Sequence, residues 1–149
     1  MRFSLKSEYA LRAALDLALH ASPGELVRTS EVARRTGAPA KFLEAVLGQM
    51  GRAGIVESER GARGGHRLAR TPSQVRAGDL VRAVEGPEAL AIRPSRGRPA
   101  PGGGAAAGRA LHQLWTEAEH ALSASLDGVT LEDLVRRVQA ASGSTDFNI

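Results

Sequence analysis

The chain has 149 residues, enough for about one domain with a real core but short for an enzyme with a separate substrate domain. Twenty Lys and Arg against sixteen Asp and Glu give a net charge of +4, and Lys6 and Lys41 are the only lysines, so the basic groups are nearly all arginines, whose forked donors suit phosphates and base edges. This balance favours a nucleic-acid partner over an anionic membrane surface, the absence of cysteine removes disulfides and thiolate metal sites, and no window approaches eighteen consecutive apolar residues, so a soluble cytoplasmic protein is expected.

From Ser7 to Ala21, Leu11, Ala14, Leu15, Ala18 and Leu19 recur at helical spacing, and Pro23-Gly24 closes this first predicted helix. Val27 begins a short extended piece. Thr29 and Ser30 then start a short second helix with Val32 and Ala33 inward and Gly37 as its stop. Pro39 suits the first turn of a third helix, in which Phe42, Leu43, Val46, Leu47 and Met50 form an inward stripe reaching Arg52 or Ala53 before Gly54. A short helix, a glycine turn and a second helix with a polar outer face form the helix-turn-helix pattern, whose second helix enters the major groove. Lys41, Glu44 and Ala45 lie off the apolar stripe. The same helices would also serve as the corner of a bundle that never meets DNA.

Arg52 to Arg70 reads as two strand-like runs separated by a turn holding Gly61, Gly64 and Gly65, the wing of a winged helix. Arg60, Arg63, Arg67 and Arg70 fall in its last eleven residues with no carboxylate among them, a concentrated positive field for a polyanion or simply a solvated basic hairpin. Ala77 to Glu85, with Leu80, Val81 and Val84 on one side, closes a domain spanning 1–86. A Pro/Gly-rich linker is expected over 87–108, because Gly86 to Gly108 holds four of the seven prolines and six of the seventeen glycines. Helical spacing returns from Arg109 to Leu126 with Leu111, Leu114, Trp115, Ala118, Leu122 and Leu126, and Asp127-Gly128 stops it. Thr130 and Asp133 open a last helix carrying Leu131, Leu134, Val135 and Val138, ending near 141. Residues 142–149 read as a disordered tail. The apolar stripe of the long helix needs a partner surface, either its own domain or another subunit.

The stretches MRFSLKSEYALRAALDLALHA, FLEAVLGQMGRAGIVES with ERGARGGHRLAR, AGDLVRAVEG, LHQLW and LDGVTLEDLV, in this order, resemble the IscR/NsrR-type (Rrf-two) family of bacterial winged-helix transcriptional regulators. The resemblance implies a mainly α fold with a small β-hairpin wing: a winged helix-turn-helix domain plus a long dimerisation helix at the start of a 109–141 unit. It also implies a homodimeric repressor or activator on a palindromic site in double-stranded DNA, taken here as a repressor. Leu111, Leu114, Trp115, Ala118 and Leu122 would lie where the long helix crosses onto the other subunit. Ser4, Lys6 and Arg52, with Arg63, would contact phosphates and Arg60 would enter the minor groove. Thr29, Lys41 and Glu44 complete the expected DNA-binding set together with Pro39, which stands where the family has serine; Ala45 stands where it has glutamine, and both departures alter the expected operator.

In relatives that sense iron, nitric oxide or redox state, three linker cysteines hold an iron–sulfur cluster, whereas other members lack it. Glu8 and His112 match positions that supply the remaining cluster ligands in some relatives, but no metal site is assigned here. No cofactor is expected unless native cysteines have been replaced, for which the Ala105-Ala106-Ala107 run would be the trace; a metal- or redox-sensing regulator whose cluster ligands are absent or replaced is the alternative reading. His66 stands in the second wing strand where the family carries tyrosine and is expected to line the hairpin face. His20 and His120 show no partner in sequence. No Ser/His/Asp order, phosphate-cradling loop or HExxH pattern appears, so no catalytic residue and no enzyme activity are expected. The effector is not legible.

Overall fold

A computed structural model describes residues 3–92 and 104–143; the middle of the expected linker and the expected disordered tail from 144 onward lie outside the described residues. The chain is organised around helix α1, Leu5–His20, which packs against helices α2, α3, α4 and α6. Its inner face is built from Ala10, Ala13, Ala14 and Leu17, and the run of alanines lets neighbouring helices approach closely. The helix starts two residues before the apolar spacing predicts. Ser4 precedes its first turn, with its hydroxyl accepting from the Lys6 N–H, an N-terminal role that serine fills well.

Helix α2, Thr29–Thr36, ends as predicted at Gly37, whose φ of +71° is left-handed. Helix α3 runs Ala40–Arg52, and Pro39 caps it from outside rather than standing in its first turn. Leu43, Val46, Leu47 and Met50 are buried, while the half-buried Phe42 meets Tyr9 edge-on with ring centres 5.4 Å apart.

Strands β1, Val56–Glu59, and β2, Gly65–Leu68, pair antiparallel, with Val56 opposite Leu68 and Glu59 opposite Gly65. The extended piece expected at Val27 adds one rung: its N–H and C=O both bond His66 at 2.8 Å. That approach explains Gly65, since a Cβ there would lie 2.7 Å from the Val27 carbonyl oxygen. Gly65 therefore belongs to the strand and not to the turn.

Helix α4, Ala77–Glu85, has the predicted bounds and follows a 3₁₀ turn at Pro72–Gln74 that the sequence pattern did not reveal. Helix α5 spans Ala105–Asp127 and begins four residues before Arg109, so the Ala105-Ala106-Ala107 run is its first turn, where alanine's high helix propensity counts, and not linker. The start of the expected linker is also more ordered than its composition suggests: Leu90 is buried in the fold.

Helix α6, Leu131–Gly143, was expected to accompany the long helix. It packs instead on α1 and the 3₁₀ turn, with Leu131 fully buried in the same core as Leu43, Leu47 and Leu80. Its start follows the predicted cap: Asp133 accepts from the Thr130 N–H, and the Asp133 N–H donates to the Thr130 hydroxyl. These bonds, with the Arg136 guanidinium, hold Asp133 down to about 2.

The described residues contain a nearly buried ion pair that the sequence pattern missed. Asp16 accepts from Arg35 Nε and from one terminal guanidinium nitrogen at 2.8 and 2.9 Å, joining α1 to α2, and His20 Nδ1 lies 3.2 Å from the same carboxylate, so His20 has a partner after all. No described helix is long and apolar enough to cross a membrane.

Candidate nucleic-acid interface

The outer face of α3 carries Lys41, Glu44, Ala45, Gly48 and Arg52 at steps of three or four residues, all exposed. Lys6 of α1 joins Glu44, Ala45, Gln49 and Arg52 around one shallow depression of about 390 Å³, so the expected phosphate contacts Lys6 and Arg52 flank the expected base reader Glu44. Ala45 and Gly48 leave the middle of this face low, which lets a helix settle deep into a groove.

The wing stands beside the start of α2. The Arg28 guanidinium donates to the Ala62 carbonyl of the wing turn at 2.7 Å. His66 bridges the two elements: Nε2 lies 2.8 Å from the Thr29 hydroxyl and Nδ1 2.7 Å from the Ser58 hydroxyl. Burial pushes the His66 imidazole below its ordinary value, opposed by the nearby Glu44 carboxylate, so the ring is neutral at pH 7 and donates one of these bonds while accepting the other. Thr29 is thus occupied inside the protein through its side chain. His66 links the wing to the helix-turn-helix instead of merely lining the hairpin face.

The positive field of the wing is smaller than the arginine count implies. Arg67 is paired to Glu57 at 2.9 Å and lies 3.7 Å from Glu59, both across the hairpin, and Arg70 donates to the Gly54 and Ala53 carbonyls at 3.0 and 3.1 Å. Arg70 therefore satisfies orphan carbonyls just beyond the end of α3, where positive charge is also favoured by the helix dipole. Arg60 and Arg63 are exposed and, among the described residues, have no ion-pair partner; the same holds for Lys6, Lys41 and Arg52. On the face formed by α1, α3 and the wing, these five cations are available to a polyanion.

Ser4 is more constrained than expected. Its hydroxyl donates to Glu85 Oε1, and the buried Ser7 hydroxyl donates to the same oxygen at 2.8 Å. These hydroxyls hold the Glu85 carboxyl below its usual range. Pro39 stands exposed between α2 and α3, outside the helix it precedes.

The expected dimerisation residues are on the open side of α5. Leu111, Leu114 and Trp115 are 55%, 52% and 39% exposed, and Ala118 and Leu122 are half-buried. No residue of this 23-residue helix is buried, so the subunit does not fold the stripe into its own core.

Glu8 and His112 form no metal-binding group: Glu8 is paired with Arg12 at 2.7 Å, His112 is exposed, and no group of three His, Cys, Asp or Glu that could hold a metal ion occurs among the described residues. An iron–sulfur cluster requires thiolate ligands, and the sequence contains no cysteine, so the donors of this chain do not fit that group.

A recognition helix with a low polar face, a basic wing tip and a long helix with an uncovered apolar stripe define a winged helix-turn-helix DNA-binding regulator. Residues 3–137 match the Rrf2 family, described as iron-dependent transcriptional regulators. The chain belongs to this family, and is a transcriptional regulator and not an enzyme. It is 34% identical over 136 residues to the HTH-type transcriptional regulator IscR of Aliivibrio salmonicida, covering 91% of this chain and 77% of that protein. Among solved structures it resembles CymR, the global cysteine regulator of B. subtilis, with a TM-score of 0.74 and 29% identity over 92% of this chain and 98% of that one. It likewise resembles T. potens IscR, with a TM-score of 0.73 and 28% identity over 95% of this chain and 90% of that one.

Proposed function

We propose that the protein is a cytoplasmic, cluster-free repressor that binds a palindromic operator as a homodimer. The observation that carries the dimer is the apolar stripe of α5: three large apolar side chains stay exposed on a helix none of whose residues is fully buried in its own subunit. A second copy presents the same stripe, and a two-fold axis lets one surface serve both partners. Each subunit then offers α3 to a major groove and Arg60 to the neighbouring minor groove, while Lys6, Arg52 and Arg63 meet phosphates. Ser4 reaches a phosphate only by giving up its bond to Glu85, so its contribution is smaller than that of Lys6. The missing thiolates favour regulation that does not run through an iron–sulfur cluster.

Selection from a randomised duplex pool tests this reading. The expected product is a two-fold symmetric sequence with half-sites one helical turn apart, roughly 34–36 Å, whose placement in a promoter lowers transcription when the protein is added. Leu122→Asp, which sets an unpaired charge in the stripe, should shift the protein towards monomer and lower affinity for that sequence by about tenfold or more. A full dimer on sedimentation with undiminished binding would place the subunit contact elsewhere.

A further inference from the structure

Helix α5 departs from the winged domain at a charged clasp around Asp127, its last residue. The Arg82 guanidinium of α4 grips the Asp127 carboxylate with two bonds, 2.5 and 3.3 Å, while also reaching Asp79 at 3.3 Å. Arg76 donates to the Asp127 carbonyl at 2.5 Å. Backbone bonds continue the seam on either side: the Ala77 N–H donates to Val129 and the Leu131 N–H donates to Val75, at 2.9 and 2.8 Å. Gly78 belongs to the same arrangement, because a Cβ at that position would overlap the Asp127 carboxylate.

Beyond the clasp, α5 touches α4, and side chains of its C-terminal half, Leu122 and Leu126 among them, are half-buried, while its N-terminal half is exposed. The helix is roughly 34 Å long at 1.5 Å per residue, none of its residues is buried, and its other described polar tie to the winged domain is the Ile92 N–H donating to Glu119 at 3.1 Å. A helix held mainly at one end turns a small rotation at the clasp into a large displacement at the other. One degree at the foot moves the far end by about 0.6 Å over that length.

We infer that the Arg82–Asp127 clasp is a positioning device that fixes the direction of α5 relative to the recognition helix, and thereby the half-site spacing the dimer accepts. The inference rests on the dimeric reading above. Neither residue belongs to the DNA-facing surface or to the exposed stripe, so the clasp sets geometry without contributing contact. Bidentate guanidinium–carboxylate pairing suits this role because it fixes orientation as well as distance.

The test compares wild type with Asp127→Asn, which keeps the shape of the side chain and removes its charge, and with Arg82→Gln. The probes are the palindrome that wild type selects from a random pool, the same sequence lengthened or shortened by one base pair between half-sites, and an isolated half-site. For both variants the expected result is an intact dimer on sedimentation, half-site binding within about twofold of wild type, and about tenfold weaker binding to the selected palindrome, with discrimination among spacings largely lost. The exchange Arg82→Asp with Asp127→Arg should restore part of the discrimination. Unchanged spacing preference in both single variants would overturn the inference, as would loss of the dimer or of half-site binding, since either would make the clasp a general support of the fold. Failure of wild type itself to prefer any spacing would instead refute the dimeric reading.

Discussion

Truncating Trp115 to alanine isolates the proposed dimer contact with little risk to the fold, because the side chain lies outside the core of its own subunit. The ring is 39% exposed, which for a side chain of about 250 Å² leaves about 100 Å² to be covered by a partner. At about 25 cal/mol per Å² this is about 2.5 kcal/mol per subunit and about 5 kcal/mol for a symmetric pair. Alanine recovers a little of that area, so Trp115→Ala should weaken dimerisation by about 3–4 kcal/mol, two to three orders of magnitude in the dissociation constant. Sedimentation equilibrium over a dilution series measures it, with the helical circular dichroism of each subunit as the check on folding. Because Trp115 is the only tryptophan, its emission gives an independent reading: dilution of wild type should shift it to the red as the partner leaves. A variant whose dimer constant stays within about threefold of wild type would refute the reasoning and show that the ring is not covered in the assembly.

Three further outcomes are expected. Arg60→Ala should weaken operator binding by roughly 1–3 kcal/mol and relax sequence preference under the wing, whereas an unchanged band shift would remove Arg60 from the groove. Glu44→Ala should strengthen binding to unrelated duplexes severalfold while eroding discrimination, because a carboxylate accepts from cytosine N4 but is repelled by phosphates; a uniform loss on all sequences would instead give Glu44 a structural role. His66 takes up its proton less readily when folded than when unfolded, so its contribution to stability is complete above pH 6.5 and is lost as pH falls through its depressed value. Urea unfolding of wild type and His66→Gln across that window should show the gap between them narrowing towards acid; a gap that widens would reverse the assigned effect of burial.

The elements that depend on neighbours along the chain were legible. Leu80, Val81 and Val84 with Gly86 fixed α4 to the residue, and the glycines between two strand-like runs located the hairpin. What escaped was pairing across distance. Arg67 looked free because no carboxylate stands close after it, yet the hairpin register puts Glu57 directly opposite, and pairing the strands outward from the turn would have revealed it. Glu85 lies 78 and more residues from the two serines it binds, and Asp16 lies 19 from Arg35, so only the packing of helices brings them together. At the candidate interface, residue type pointed to the exposed cations and to α3 as the helix with a polar outer face. Residue type could not show that Arg67 and Arg70 serve the fold, or that Thr29 is held by His66, because these depend on where the wing leans.

Leu131 has a consequence for the order in which the protein matures. It closes the core of the winged domain from beyond α5 in the chain, so that core stays incomplete until the segment after α5 has left the ribosome. The open stripe of α5 emerges earlier and can form its helix locally while the domain beneath it still lacks a piece. Nascent chains made side by side on one message would therefore present sticky helices before they hold a finished DNA-reading surface. In the proposed dimer, pairing between neighbouring polysomal chains would then precede operator search.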